Sequence, residues 1–354
     1  MRFVCVAAAR PNFMKIKPVL DALEARGAET VLVHTGQHYD PGMSDIFFEE
    51  LGIRRPDISL GIGSGTHAEQ TGRVMTAFEP VLRDLAADAV VVVGDVNSTL
   101  ACTLVAAKSA PPIPVAHVEA GLRSRDWTMP EEVNRVVTDR LSRWLLVPSP
   151  DGVENLLAEG AERDRIHLVG NVMVDTLLAN LDRARARPTL EDHGVESGAY
   201  GLVTLHRPAT VDDPSVLRPI LSALADVADR LPLVFPVHPR TRASLAGAAH
   251  LGIRLVDPLG YLDFVALQAG ARVVLTDSGG VQEETTILGV PCLTLRDNTE
   301  RPITITEGTN QLVGRDPAAI RRAVAEVLAS PPAKRHPALW DGHAGARIAD
   351  ALLA

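Results

Sequence analysis

The 354-residue sequence has only three cysteines, Cys5, Cys102 and Cys292. They are too few and too scattered for a disulfide framework. Each sits in an apolar or small-residue run, which reads as a buried free thiol. No apolar run approaches the ~18 residues that cross a bilayer; Ala89 to Val93 is among the longest. The stretch Phe3 to Ala9 is short for a signal-peptide core, and Arg10, Lys15 and Lys17 follow it at once, so it reads as a first buried strand. Positive charge is also in short supply. With 35 Lys and Arg against 44 Asp and Glu, the net charge is −9, which disfavours nucleic acid and anionic membranes as partners. An anionic substrate would therefore need a local positive pocket on a negative body. No Walker A sequence, low-complexity segment or short repeat is present. These absences leave a cytoplasmic globular protein, and its length fits two domains.

What is present is an alternation of short apolar runs with helix-length segments. Strand candidates in the first half are Arg2–Ala9, Thr30–Thr35, Ala89–Gly94, Val115–Glu119, Leu145–Pro148 and His167–Val169. Runs such as Val90 to Val93 are apolar at consecutive positions, the pattern of a strand buried on both faces of a parallel sheet. Between them, residues such as Phe13, Ile16, Val19, Leu20 and Leu23 follow a helical spacing. The composition changes between Asn180 and Ser197. The alternation then restarts with Gly201–Leu205, Leu233–His238, Ile253–Val256, Arg272–Thr276 and Cys292–Leu295. One helix opens at Asp213-Pro214, with Asp as N-cap and Pro first. The fold class expected is α/β, with two Rossmann-like, doubly wound domains facing a cleft: residues 1–170 and 171–354. Ligands of such sheets sit beyond the carboxyl ends of the strands.

Two tempting motifs are set aside. Gly61-Ile-Gly63-Ser-Gly65-Thr66 lacks the last glycine of a dinucleotide fingerprint and does not follow the first strand. A loop ending in the capping box Thr66-x-x-Glu69 is the better reading. His34 and His38 lie on a strand end and loop without a third ligand, so no metal site is expected.

The strongest chemical signal is Thr276-Asp-Ser278-Gly279-Gly280-Val-Gln-Glu-Glu284. A buried strand runs into Ser-Gly-Gly and a helix, where Ser278 can cap the first turn and the two glycines let its N–H groups approach a phosphate. Glu284 lies further along that helix, where it either meets sugar hydroxyls or faces solvent. Arg296 and Arg301 follow the next strand; they either neutralise a diphosphate or form surface ion pairs with Asp297 or Glu300. Asp95 and Glu119 end strands in the first half. Glu131 offers a third carboxylate, although Thr128-x-x-Glu131 also reads as a capping box and Glu131 with Arg135 as a helical ion pair. Arg10, Lys15, and His206 with Arg207 complete the strand-end groups.

Taken together, Ala9-Arg10-Pro-Asn-Phe-Met-Lys15, Thr35-Gly-Gln37-His38, Gly94-Asp95-Val-Asn-Ser98, His117-Val-Glu119-Ala-Gly-Leu-Arg123, Pro130-Glu131-Glu-Val-Asn-Arg135, Thr204-Leu-His206-Arg207, Thr276 to Glu284, and Thr299-Glu-Arg301-Pro302 resemble the non-hydrolysing UDP-N-acetylglucosamine 2-epimerases. The match runs in order along nearly the whole chain. The resemblance implies a GT-B fold of the glycogen-phosphorylase type and a homodimer, with the C-terminal helix crossing back to the first domain. It also implies a UDP-sugar substrate and no metal or other cofactor. Implied catalytic residues are Asp95, Glu119, Glu131 and His206. Implied substrate contacts are Arg10, Lys15, Arg135, Ser278, Gly279, Gly280, Glu284 and Arg301, with UDP on the C-terminal domain and the acids on the N-terminal one. Gln37, His38 and Arg73 are candidates for a second, activating UDP-sugar site.

Two segments depart from the bacterial pattern: His206-Arg-Pro-Ala-Thr in place of His-Arg-Arg-Glu-Asn, and Gln37-His-Tyr in place of Gln-His-Arg. The alternatives are the same chemistry on a related UDP-2-acetamido sugar or uronate, a GT-B glycosyltransferase, or a non-catalytic UDP-sugar sensor.

Overall fold

The computed structural model describes residues 1–36, 50–237, 241–242, 245 and 252–354. They divide into two units, Met1–Ala179 with Ala338–Ala354, and Asn180–Pro337. The sequence reading put the division at 170/171 and gave the second domain residues 171–354, with the C-terminal helix crossing back to the first domain. The observed division falls inside a helix, Val172–Arg185, at Asn180, where the change of composition begins.

Unit 1 contains β1 (Arg2–Ala7), β2 (Glu29–His34), β3 (Ile58–Ser59), β4 (Ala89–Val93), β5 (Val115–Val118), β6 (Trp144–Val147) and β7 (Ile166–Leu168). They form one parallel sheet in the order β3-β2-β1-β4-β5-β6-β7. Every residue of β4 is buried, as a strand covered by helices on both faces requires. Unit 2 contains β8 (Gly201–Thr204), β9 (Leu233–Pro236), β10 (Arg254–Val256), β11 (Val273–Thr276), β12 (Cys292–Thr294) and β13 (Asn310–Leu312), again parallel, in the order β10-β9-β8-β11-β12-β13. Both sheets reverse direction of growth between their first and fourth strands, β1 beside β4 and β8 beside β11. That switch point is where open α/β sheets bind ligands.

All eleven strand candidates are found, each losing one or two residues at an end, while β2, β6 and β7 also begin one residue earlier than expected. The sequence reading omitted β3 and β13. The first is two residues long, and β13 is a polar edge strand whose Asn-Gln-Leu carries no apolar run.

The helices that matter for the site are α1 (Arg10–Ala25), α2 (His67–Leu85), α3 (Asn97–Lys108), α4 (Pro130–Leu141), α5 (Pro150–Ala158), α6 (Val172–Arg185), α7 (Pro214–Ala228), α8 (Tyr261–Gly270), α9 (Gly279–Leu288), α10 (Pro317–Ala329) and α11 (Ala344–Leu353). The α1 face predicted from spacing is buried: Phe13, Ile16, Val19, Leu20 and Leu23 are all below 5% exposed. At the start of α2, Thr66 and Glu69 form the reciprocal capping box, with bonds of 3.3 and 3.0 Å. Asp213 caps α7 through the Ser215 N–H at 2.8 Å.

Helix α11 packs on α1 within unit 1. Gly345 is required there, because a Cβ would stand 2.5 Å from the Pro18 carbonyl oxygen. Asp175 of α6 caps α11 by accepting from the Ala344 and Gly345 N–H groups at 3.1 and 2.7 Å. All three cysteines are buried and free, and burial pushes the Cys5 and Cys292 thiols up to about 12. Among the described residues no helix is long and apolar enough to cross a membrane.

Candidate active site

In unit 1 the functional side chains gather at the carboxyl ends of β1, β4 and β5. Asn12, in the first turn of α1, accepts from the Ala8 and Ala9 N–H groups and donates to the Val93 carbonyl at 3.2 Å, which joins the ends of β1 and β4. One helical turn on, Lys15 is 8% exposed and ion-paired with Glu119. Glu119 is itself buried, and its backbone is left-handed at φ +72°. A non-glycine residue in that conformation is strained, and such strain clusters at functional sites. Gly94 lies against this pair: its φ is +67°, and a Cβ would stand 3.1 Å from Lys15 Nζ and 3.4 Å from Glu119 Oε2.

Asp95 follows, with its side chain 32% exposed and paired with Arg135. Arg135, on α4, is 2% exposed and turns its other donors to Glu132 at 2.6 and 3.0 Å. Glu132 also accepts from the Ser124 and Arg125 N–H groups. Burial opposes its ionisation, but those N–H groups and Arg135 hold its carboxyl below the usual range. Arg135 thus sits behind Asp95 as a strut between two carboxylates. Glu131 is half-buried and, among the described residues, has neither a hydrogen-bond nor an ion-pair partner. The structural alternatives for it are not realised. Met129, not Thr128, occupies the N-cap of α4 without a side-chain bond, and Arg135 pairs with Asp95 and Glu132 instead.

In unit 2 the corresponding strand ends, of β8 and β11, carry cations and bare N–H groups. The fully buried Asp277 accepts from the His206 and Arg207 N–H groups and from His206 Nδ1 at 3.2 Å. Although burial favours the neutral acid, these donors hold Asp277 below the usual carboxylate range. The His206 ring is 41% exposed, unlike a core histidine. Helix α9 then starts at Gly279. The expectation that Ser278 caps it is not met: its side chain makes no cap bond, and its N–H goes to Thr276 Oγ1 at 2.9 Å. The first-turn N–H groups of α9 and the Ser278 hydroxyl are therefore left for an anion. Gly279 is required by Arg301, whose Nη1 would lie 2.5 Å from a Cβ there.

Arg301 and Arg296 are both buried, so neither forms the surface ion pair weighed as an alternative. Arg301 binds Glu283 at 2.7 Å and Glu300 at 2.9 Å; Arg296 and Arg207 also reach Glu300, at 2.8 and 3.2 Å. Asp297 pairs with Arg315. Three guanidiniums on one buried carboxylate hold Glu300 far below its usual range despite burial. Glu284 is not on a solvated face: it is 4% exposed, between Tyr261 Oη at 3.1 Å and Gln268 Nε2 at 3.2 Å. Burial pushes its carboxyl up to about 7 against those two hydrogen bonds.

Arg10 opens α1. Arg73 is exposed and donates to the Ser64 carbonyl at 2.8 Å, bracing the glycine-rich loop before α2. Gln37 and His38 lie outside the described residues. Among those described, no group of three His, Cys, Asp or Glu side chains could hold a metal. Sequence reasoning passed over Asp277, Glu132 and Asn12. Asp277 carried the same signal as Asp95 and Glu119, a carboxylate directly after a buried strand. The other two act through backbone contacts that spacing does not encode.

Two parallel sheets, of order 3-2-1-4-5-6-7 and 3-2-1-4-5-6, with a glycine-led helix N-terminus on one and strand-end acids on the other, fit a nucleotide-sugar enzyme of the GT-B class. The family model described as UDP-N-acetylglucosamine 2-epimerase matches residues 21–353, and the chain belongs to that family. UDP-N-acetylglucosamine 2-epimerase of Methanocaldococcus jannaschii is 42% identical over 360 residues, covering 98% of each chain. The crystal structure of the M. jannaschii enzyme in complex with UDP-GlcNAc and UDP superimposes with a TM-score of 0.92 at 41% identity, over 100% of this chain and 99% of that one. The UDP-2,3-diacetamido-2,3-dideoxy-D-glucuronate 2-epimerase of Pseudomonas aeruginosa is 43% identical over 319 residues, covering 89% and 88%.

Proposed function

We propose that this protein interconverts UDP-N-acetylglucosamine and UDP-N-acetylmannosamine by inverting C2. The observation that carries the reading is the split of chemistry between the units: strand-end carboxylates in one, and bare N–H groups with buried guanidiniums in the other. The C2 proton of the sugar is not acidic, so inversion through a free carbanion is costly. Elimination avoids this. A carboxylate takes the C2 proton while the C1–O bond to UDP breaks, giving a glycal with a C1=C2 double bond and UDP. A second carboxylic acid then protonates C2 from the opposite face, and UDP re-adds at C1. Asp95, Glu119 and Glu131 are the acids available for those transfers. Ser278, the Gly279 and Gly280 N–H groups, Arg301, Arg10 and His206 stabilise the departing diphosphate. Lys15 and Arg135 hold Glu119 and Asp95 in place, and Glu284 receives ribose hydroxyls.

The same reading places the enzyme in the cytoplasm as a homodimer, supplying an activated sugar for surface polysaccharide. Unit 1 is its acid-bearing, sugar-side half and unit 2 its UDP-binding half. Gln37, His38 and Arg73 are retained as candidate contacts for an activating UDP-sugar.

A second reading, the same chemistry on a UDP-2,3-diacetamido uronate, is favoured by the similarity to the Pseudomonas protein. Incubating the purified protein with each nucleotide sugar and resolving the epimers by anion-exchange chromatography separates the two. Conversion of UDP-N-acetylglucosamine supports the first reading. Conversion of the uronate alone replaces it with the second, and conversion of neither removes both.

A further inference from the structure

The unit 1 site contains a buried histidine that no step above uses. His117 lies on β5, two residues before Glu119, and is 0% exposed. Its Nε2 meets the Gly94 carbonyl oxygen at 2.8 Å, immediately before Asp95, and its Nδ1 meets Asp139 Oδ1 at 2.6 Å. The hydrogen count follows from the partners. A carbonyl oxygen only accepts, so Nε2 carries a hydrogen. Asp139 accepts from the Gly121 N–H at 3.1 Å and pairs with Arg123 at 2.7 Å, which is the company of an ionised carboxylate. Burial favours its neutral form, but His117 and Arg123 together hold it below the usual range. Nδ1 faces this carboxylate, so the ring is held at both nitrogens. Arg123 in turn forks onto Glu159, at 2.7 and 2.9 Å, whose side chain is 41% exposed. His117, Asp139, Arg123 and Glu159 thus form one row from the sheet interior to the surface. On the other side of Gly94 the charged groups are Lys15 and Glu119.

We propose that His117 is a positioning residue, whose ring clamps the Gly94–Asp95 turn to β5 and so fixes the spacing of Asp95 and Glu119. The strands explain why a clamp is needed. β4 ends at Val93, and Asp95 stands beyond the ladder on a glycine with φ +67°. Proton transfer tolerates little misplacement, about 10²-fold in rate for about 1 Å. Asp139 sets the ring's orientation, as a carboxylate does for a metal-bound or catalytic imidazole. The proposal rests on the reading that Asp95 and Glu119 exchange the C2 proton.

The test combines a spectrum of the wild-type enzyme with kinetics of two variants. With 15N-labelled histidine, long-range 1H–15N correlation should show hydrogen on His117 Nε2, the nitrogen that faces the Gly94 carbonyl. His117→Gln should lower kcat by about 10²-fold while KM and UDP affinity stay within about 3-fold, the signature of lost transition-state geometry rather than lost binding. Asp139→Asn, which keeps the shape and removes the charge, should lower kcat in the same direction by less. A bare Nε2 in the spectrum, wild-type kcat in folded His117→Gln, or a defect confined to KM would each overturn the clamp. Should His117→Gln fail to fold, the wild-type spectrum and Asp139→Asn decide. Asp95→Asn and Glu119→Gln are assayed alongside. Full turnover in both overturns the underlying reading, an outcome distinct from failure of the clamp alone.

Discussion

The two units carry the same strand order, yet the ends of their central strands bear opposite chemistry. At the β1–β4 switch point of unit 1 the chain places Lys15, Gly94 and Asp95, with Glu119 from the next strand. At the β8–β11 switch point of unit 2 it places His206, Arg207 and the Ser278-Gly-Gly start of a helix. Each side also buries a charge of the sign opposite to what it offers a ligand. Lys15 and Arg135 stand behind the acids of unit 1; Asp277 and Glu300 stand behind the cations of unit 2. One strand order thus carries acids in one unit and guanidiniums beside a helix N-terminus in the other, depending on a few residues after two strands. The buried counter-charges orient the groups in front of them, although a buried ion pair adds little stability of its own.

The sharpest way to break this division is to neutralise the acids. Asp95→Asn or Glu131→Gln should cost about 10³-fold in turnover, with UDP affinity nearly unchanged; chromatographic assay and titration calorimetry measure the two. Turnover at the wild-type level in either variant removes that residue from the chemistry. On the other side, Arg301→Ala should weaken UDP binding by about 1.5–3 kcal/mol, the worth of a charge-assisted hydrogen bond. Unchanged calorimetric affinity would leave Arg301 only its structural pairing with Glu283 and Glu300.

A smaller effect concerns Glu284. Its folded-state pKa of about 7 lies above the ordinary value, so folding holds a proton that the unfolded chain releases. The stability it confers is complete below about pH 4 and is lost as pH rises through about 7. Wild-type stability should therefore fall relative to Glu284→Gln between pH 5 and 8, on the order of 1–2 kcal/mol by urea unfolding. Parallel curves would contradict the buried, protonated acid. Smallest of all, Thr66→Ala removes the α2 cap. It should cost about 1 kcal/mol of stability and leave kcat untouched.

Much of this was legible in the sequence because parallel strands write themselves as consecutive apolar runs. Val90 to Val93 declared β4, and the residue two places beyond it had to be at the ligand edge. The same logic found Glu119, His206 and Ser278. Spacing misled where two local bonding patterns competed. Thr128-x-x-Glu131 has the letters of a capping box, but the helix starts at Pro130 and Asp126 takes the Thr128 hydroxyl instead. Glu284 could not be assigned to a face, because its burial depends on Tyr261 and Gln268, brought in from α8. The return of residues 338–354 to unit 1 rests on contacts of α11 with α1 that composition does not announce; only the family resemblance implied it.

The central claim is that C2 loses and regains its proton between acids of unit 1 while unit 2 holds UDP. Proton NMR of the enzyme with UDP-N-acetylglucosamine in heavy water tests it directly. Deuterium should replace the C2 proton as the UDP-N-acetylmannosamine signal grows, at matching rates. Tight UDP binding with the C2 proton intact after prolonged incubation would contradict the account.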